Sequence, residues 1–228
     1  MSTFDHWWTK QINDRARNKV RKAAKNGVVV RHVPFGDTLV RGIWEIYNEC
    51  PVRQGKPFWH YGKDLETVRA LESTLLDIST FIAAFMDERI IGFIKLLVDK
   101  DRRQAKTMNI ISMIQHRDKA PMNALIAEAV KTCADWNIPH LVYGRYSYGK
   151  KTQDTLAEFK RNNGFERIEI PRFYIPLTVL GRVAYALGLH RGVGHYAPEA
   201  VMAKVRQLRK AWYERALDSW KSVRRLGK

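Results

Sequence analysis

The sequence predicts a mixed α/β (α+β) chain with one core, in the element order βααβββαβαβ, followed by a basic helical extension. Three observations lead there. A chain of 228 residues that is 45% hydrophobic is long enough for one substantial core. Its apolar spacing switches repeatedly between three-four and two residues. Glycine, proline and capping residues stand at the switches.

The elements follow in order. NDRARNKVRKAAKNG reads as a basic helix stopped by Gly27, and VVVRHV as a strand. Asp37 is placed to cap a helix carrying Leu39, Val40, Ile43, Trp44 and Tyr47 on one face. Asp64 precedes another helix with Leu65, Val68, Leu71, Leu75 and Leu76. TFIAAFM and RIIGFIKLLVD flank Asp87 and Glu88 as a hairpin, and AKTMNIISMI supplies a third strand. Pro121 suits the first position of a long helix whose apolar face runs from Met122 to Trp136. HLVYGRY reads as a short strand, LAEFKRNNG as a helix closed by Gly164, and ERIEIPRFYI as a final strand.

Charge divides unevenly along this order. Residues 1–31 carry eight Lys/Arg against two acids, residues 32–177 carry twenty-one against eighteen, and residues 178–228 carry eleven against three. Basic ends around a nearly balanced centre point to an anionic partner such as phosphate, lipid headgroup or RNA, with solubility alone as the plain alternative. Cys50 and Cys133 stand far apart and form no metal-ligand pattern, which fits a reducing, cytoplasmic setting without a metal. The most apolar run, Ile90–Val98, is short and interrupted by Lys95, so no membrane span is expected.

Three segments, RNKVRKAAKNGVVV, KAPMNALIAEAVKTCADWNIPHLVYGRYS and LAEFKRNNGFERIEIPRFYIPL, resemble in order and spacing the Fem-type (FemAB-like) branch of the GNAT acyltransferase superfamily. The resemblance covers about residues 13 to 177. It implies a single GNAT-like domain over 1–177, with a mixed, mostly antiparallel sheet flanked by helices, and leaves 178–228 as a basic amphipathic extension. It also implies acyl transfer, with acyl-CoA (acetyl-CoA) or aminoacyl-tRNA as co-substrate and no tightly bound cofactor. One departure bears on the donor: QHRDKAPMN, before the long helix, contains no glycine to wrap a pyrophosphate. Arg117 and Lys119, with Asn123, are the candidate donor-binding residues.

Three groups are candidates for the rest of the site. Lys160 matches the lysine that faces the substrate cleft in the resemblance, against the alternative of a surface lysine. Arg145 could grip an anion, and a phenol from Tyr143, Tyr146 or Tyr148 could protonate a leaving group, with Tyr146 taken as the candidate acid. In RQGKPFWHY, Arg53 and Trp59 are candidate substrate contacts and His60 the candidate base, with His116 a second choice. The expected acceptor is a small-molecule or lipid-linked amine of an envelope or polysaccharide precursor. Aminoacyl transfer from tRNA, or a non-catalytic RNA- or membrane-binding module, are the alternatives. The Val201–Val223 stripe in 198–228 is expected to meet the inner face of a membrane, the core or a second subunit.

Overall fold

The computed structural model describes residues 3–146, 155–171 and 173–191, and isolated positions 201, 204, 205, 207 and 208. The chain falls into two compact units, 1–50 with 59–166, and 51–58 with 167–228.

The first unit begins with a helical turn, α1 (Phe4–His6), and a π-helical turn Trp7–Gln11, which lead into the basic helix α2 (Asp14–Lys25). Asn13 caps α2 by accepting from the Ala16 N–H, and Gly27 at φ 78° turns the chain into β1 (Val29–Val33). α3 (Asp37–Asn48) follows, with Gly36 at the cap position where the sequence pointed to Asp37. The second unit contributes a short hairpin, β2 (Val52–Arg53) and β3 (Lys56–Pro57), before the first unit resumes with α4 (Leu65–Glu72). Asp64 caps α4 as expected, but the helix stops at Glu72, because Leu75 takes up φ 58° and opens a 3-10 turn at Leu76–Ile78.

The sheet has the order β1-β4-β5-β6-β7, with β4 (Ser79–Met86), β5 (Arg89–Val98), β6 (Gln104–Ser112) and β7 (His140–Val142). Every pair is antiparallel except β6–β7, which is parallel, so the sheet is mixed and mostly antiparallel as expected. The β4–β5 hairpin turns at Asp87 and Glu88, both with positive φ, the geometry of a two-residue turn that matches strand twist. α5 (Pro121–Asp135) covers one face and joins β6 to β7, a connection of the length a parallel pair needs. α3 and α4 cover the other. Gly42 lets α3 lie directly on β5, since a Cβ there would come within 2.7 Å of Ile90. The core between these layers includes Leu39, Ile43, Ile46, Phe93, Ile94 and Leu125, all fully buried.

The chain then forms α6 (Thr155–Asn162), and Gly164 at φ 81° closes it. This turn carries the N-terminal strap, a feature that sequence reasoning missed. The Trp7 indole donates to the Asn163 carbonyl at 2.9 Å, and Asn13 bonds Asn162 through both backbone (3.0 Å) and side chain (2.7 Å). A Cβ on Gly164 would meet Gln11 at 3.1 Å, so the glycine serves the approach of the strap as well as the turn.

In the second unit the expected strand over ERIEIPRFYI is absent: among described residues 166–171 and 173–177 none is a strand, and Ile168, Ile170 and Phe173 are more than three-quarters exposed. Their alternation satisfies strand propensity, but a strand also needs a partner edge, and Pro171 and Pro176 each withhold an N–H. α7 (Val179–Ala186) follows, capped by Thr178, and Tyr185 stacks on His190 at 4.4 Å. Most of 198–228 lies outside the described residues; of the stripe from Val201 to Val223 only Val201, Val205 and Leu208 are described, each exposed.

Candidate functional site

Strands β6 and β7 pair only at Gln104–Lys106 and His140–Val142. Beyond Lys106 no described strand pairs that edge of β6. The same stretch is bulged. Thr107 pairs with Leu96 and Asn109 with Lys95, which leaves Met108 as the extra residue, about half exposed.

On the α3/α4 face, this stretch meets a buried polar cluster. Glu72 accepts from the Tyr47 hydroxyl at 2.8 Å and from the Asn109 amide at 3.0 Å. Lys95, fully buried, donates to the carbonyls of Glu72 and Thr74, both at 2.7 Å, and its Nζ lies 4.0 Å from the Glu72 carboxylate. Burial pushes the Lys95 pKa down, and the Glu72 charge opposes that shift. His60 stacks on the Tyr47 ring at 4.1 Å. The loop bearing it is fixed from α3: Asn48 accepts from the Gly62 N–H, and both Trp44 and Asn48 donate to the Lys63 carbonyl. Half-burial first, and the nearby Lys63 second, hold the His60 pKa below its ordinary value. Trp59 beside it is 79% exposed, with the Lys63 ammonium 4.8 Å from its ring centre. Sequence reasoning singled out His60 and Trp59 but not Tyr47, Glu72, Lys95 or Asn109. The lone lysine inside the apolar β5 run was the available signal.

The turn after β6 is a 3-10 helix, Ile114–Lys119. Its first two N–H groups are occupied, for the Glu49 carboxylate accepts from Ile114 at 2.7 Å and Gln115 at 2.9 Å. Arg117 is exposed, while the Lys119 ammonium sits 3.3 Å from His116. Burial, then Lys119 and Arg89, lowers the His116 pKa. Asn123, expected to meet a cofactor, is buried and donates to the Asn163 side chain at 3.1 Å, which ties α5 to the turn after α6. A short polar side chain on the inner face of α5 serves packing here.

Lys160, expected to face the substrate cleft, is 1% exposed. It donates to the Arg145 carbonyl, and its ammonium lies 4.3 Å from the Tyr143 ring centre. The rotation that brings Leu156 and Phe159 inward carries Lys160 in with them. Arg145 is exposed and Tyr146 half-buried, whereas Tyr148 lies outside the described residues. Arg53, in the second unit, packs its guanidinium 4.8 Å from the Phe58 ring. Buried Cys133 has a thiol pKa pushed up to about 12 by desolvation, which removes it as a nucleophile. Among the described residues no group of three or more His, Cys, Asp or Glu could hold a metal, and no helix is long and apolar enough to cross a membrane.

No family profile matches the sequence, and no curated protein matches it. Solved structures similar to the chain include AAC(6')-Iy in complex with the bisubstrate analog CoA-S-monomethyl-acetylneamine, at 17% sequence identity over 65% of this chain and 97% of that one, with a TM-score of 0.46. An aminoglycoside acetyltransferase, meta-AAC0020 from an uncultured soil metagenomic sample, in complex with sisomicin, is 13% identical over 68% and 99% of the two chains, with a TM-score of 0.46. A ribosomal-protein-alanine N-acetyltransferase from Brucella melitensis biovar Abortus 2308 is 13% identical over 65% and 97%, with a TM-score of 0.45. At these identities and scores the reading of the site rests on the chain's own geometry.

Proposed function

We propose that the chain is an acyltransferase of the GNAT type that moves an acyl group from acyl-CoA to an amine, and that the amine belongs to an envelope or polysaccharide precursor. The observation that carries this reading is the short pairing of β7 on β6: beyond Lys106 no described strand pairs that edge of the bulged strand, the place proposed for an extended donor, and His60 is held on the adjoining α3/α4 face.

In this reading the donor lies along residues 107–112 and its pyrophosphate meets Arg117 and Lys119. The amides at the start of the turn are taken by Glu49, so side chains carry the phosphate contacts. His60 takes a proton from the acceptor ammonium, and its lowered pKa keeps the ring neutral for that step near neutral pH. The amine then attacks the thioester carbonyl, a backbone amide of the bulged stretch receives the oxyanion, and the C–S bond breaks. Tyr146 gives its proton to the leaving thiolate and recovers one from the nitrogen as the neutral amide forms. Positioning of two substrates supplies most of the rate, which agrees with the small number of chemical side chains. Trp59, exposed beside His60, offers a stacking face for the acceptor, and Arg145 a fork for an acidic group on it.

The test is amine-dependent release of free thiol from acetyl-CoA, measured across amino sugars and amines, in the parent and in His60→Gln. The expected loss in the variant is about 10²- to 10⁴-fold with folding retained. Absence of acetyl-CoA binding by the parent, or full turnover in His60→Gln, would overturn the assignment.

A further inference from the structure

On the α5 side of the sheet, away from the groups just described, α2 and α5 leave an open cleft of about 230 Å³. Its walls are small and apolar: Val20, Ala24, Val28 and Val30 from the α2–β1 side, Ala124 and Ala127 from α5. The cleft exists because alanines face each other where larger residues would close the helix pair. Phe4 also lines it and stacks on Trp8 at 5.9 Å with the rings 17° apart. Glu128 and Lys131 complete the rim.

This apolar feature lies within a strongly cationic surface. α2 carries Arg15, Arg17, Lys19, Arg21, Lys22 and Lys25 against the single acid Asp14. The cations nearest the cleft line, by helical rotation from Val20 and Ala24, are Arg17 and Arg21, with Lys25 on the flank of the same helix. The guanidiniums of Arg17 and Arg21 lie 6.0 and 5.7 Å from the Trp8 ring centre. Arg17 also donates to the Trp8 carbonyl at 2.9 Å and the Ile12 carbonyl at 3.1 Å, which fixes the aromatic strap against α2. Arg21, Lys25 and Lys131 are exposed.

We propose that this face docks on an anionic phospholipid bilayer, with the apolar side chains of the cleft wall facing the headgroup–acyl boundary, Trp8 at the headgroup level and the cations on lipid phosphates. Two requirements select this partner. Charge complementarity demands an anion, and the apolar cleft inside the charged ring demands hydrocarbon next to it. A nucleic acid satisfies the first and has no use for the second. The surface is built from residues of the first unit and uses none of the groups placed in the reaction at His60.

The test is sedimentation of the full chain with vesicles of phosphatidylcholine containing phosphatidylglycerol, compared with phosphatidylcholine alone. Binding is expected only to the anionic vesicles and is expected to weaken with salt. Arg21→Ala with Lys25→Ala and Lys131→Ala should lower the partition coefficient about a hundredfold, at about a fivefold loss per cation. Lys100→Ala with Arg102→Ala and Lys106→Ala, the same charge change elsewhere, should do much less. Ala24, exposed on α2, separates the two requirements: Ala24→Leu should raise the partition several-fold, and Ala24→Glu should lower it. Equal binding by both Ala24 variants would overturn the proposal even if the cations mattered. So would equal loss from the two triple-alanine sets, or displacement of the protein from vesicles by a short RNA whose own binding ignores Ala24→Glu.

Discussion

Lys95 and Lys160 are both interior lysines, and they are held in different ways. Lys95 sits in the middle of β5 with two carbonyls, and Glu72 is drawn in beside it together with Tyr47 and Asn109. Lys160 enters at the edge of α6, reaching the carbonyl of Arg145 under the ring of Tyr143. The first is a charged cluster that joins α3, α4, β5 and β6. The second pins one loop. A buried ammonium therefore has two uses in this chain: organising a face of the sheet on which His60 rests, and fixing the exit of β7.

The largest effect expected from that contrast is at Glu72. Glu72→Ala removes the countercharge of Lys95 and the acceptor of Tyr47 and Asn109 together, and should cost about 3 to 5 kcal/mol in urea unfolding. Adding Lys95→Met should recover part of the loss, because the orphaned charge goes with it. A cost below about 1 kcal/mol for Glu72→Ala would mean that the cluster behaves like a surface pair, and the contrast would collapse.

Lys160→Met should come next, at about 1.5 to 3 kcal/mol, since it keeps the stem and loses the charged hydrogen bond to the Arg145 carbonyl. Turnover should fall along with stability, because the pinned loop carries Arg145 and Tyr146. Reduced turnover at unchanged stability would return Lys160 to the role that sequence reasoning gave it, a cation facing substrate.

That difference shows what was legible in the sequence. The order of helices and the central hairpin could be read because apolar spacing, Asp64, Gly27, Asp87–Glu88 and Pro121 all act locally. The final strand could not, because a strand depends on an edge elsewhere and alternation at Ile168 and Ile170 says nothing about one. At the site, His60 was visible as a titratable group in an aromatic loop, but its support was not. Tyr47 reads as one more core aromatic, and Glu72 as an ordinary helix-surface acid. Only the fold puts Glu72 against Lys95. The strap was missed for the same reason: Trp7 and Asn163 are brought together from opposite ends of the first unit.

A smaller effect is expected at Glu49, which holds the turn that would face the donor. Glu49→Ala should cost about 1 kcal/mol of stability, while acetyl-CoA binding measured by calorimetry should tighten by about fivefold. A phosphate oxygen can take over the two amides, and one repelling carboxylate is gone. Arg117→Ala with Lys119→Ala should act in the opposite direction and abolish measurable heat. If Glu49→Ala weakens acetyl-CoA binding, the carboxylate shapes the turn for the donor and does not compete with it.

The smallest expected change is a shift along the pH axis, and it bears directly on whether the Lys95 cluster serves chemistry. His60 has a pKa lowered from 6.5 by burial and by Lys63, so the neutral ring persists to a lower pH than in an exposed histidine. The acid limb of kcat/KM should therefore fall below pH 6.5. The linked stability has the same sign. The unfolded chain takes up its proton first as pH falls through 6.5, so the contribution of neutral His60 is present above that value and is lost as pH drops toward the folded pKa. Lys63→Met removes the second cause of the shift and leaves the first, so the limb should move up toward the ordinary histidine value without reaching it. Tyr47→Leu, which removes the stacking ring and lets water reach His60, should move the limb in the same direction by reducing desolvation. An acid limb unmoved by Lys63→Met and by Tyr47→Leu would assign the titration to another group. The cluster around Lys95 would then be a device for stability alone.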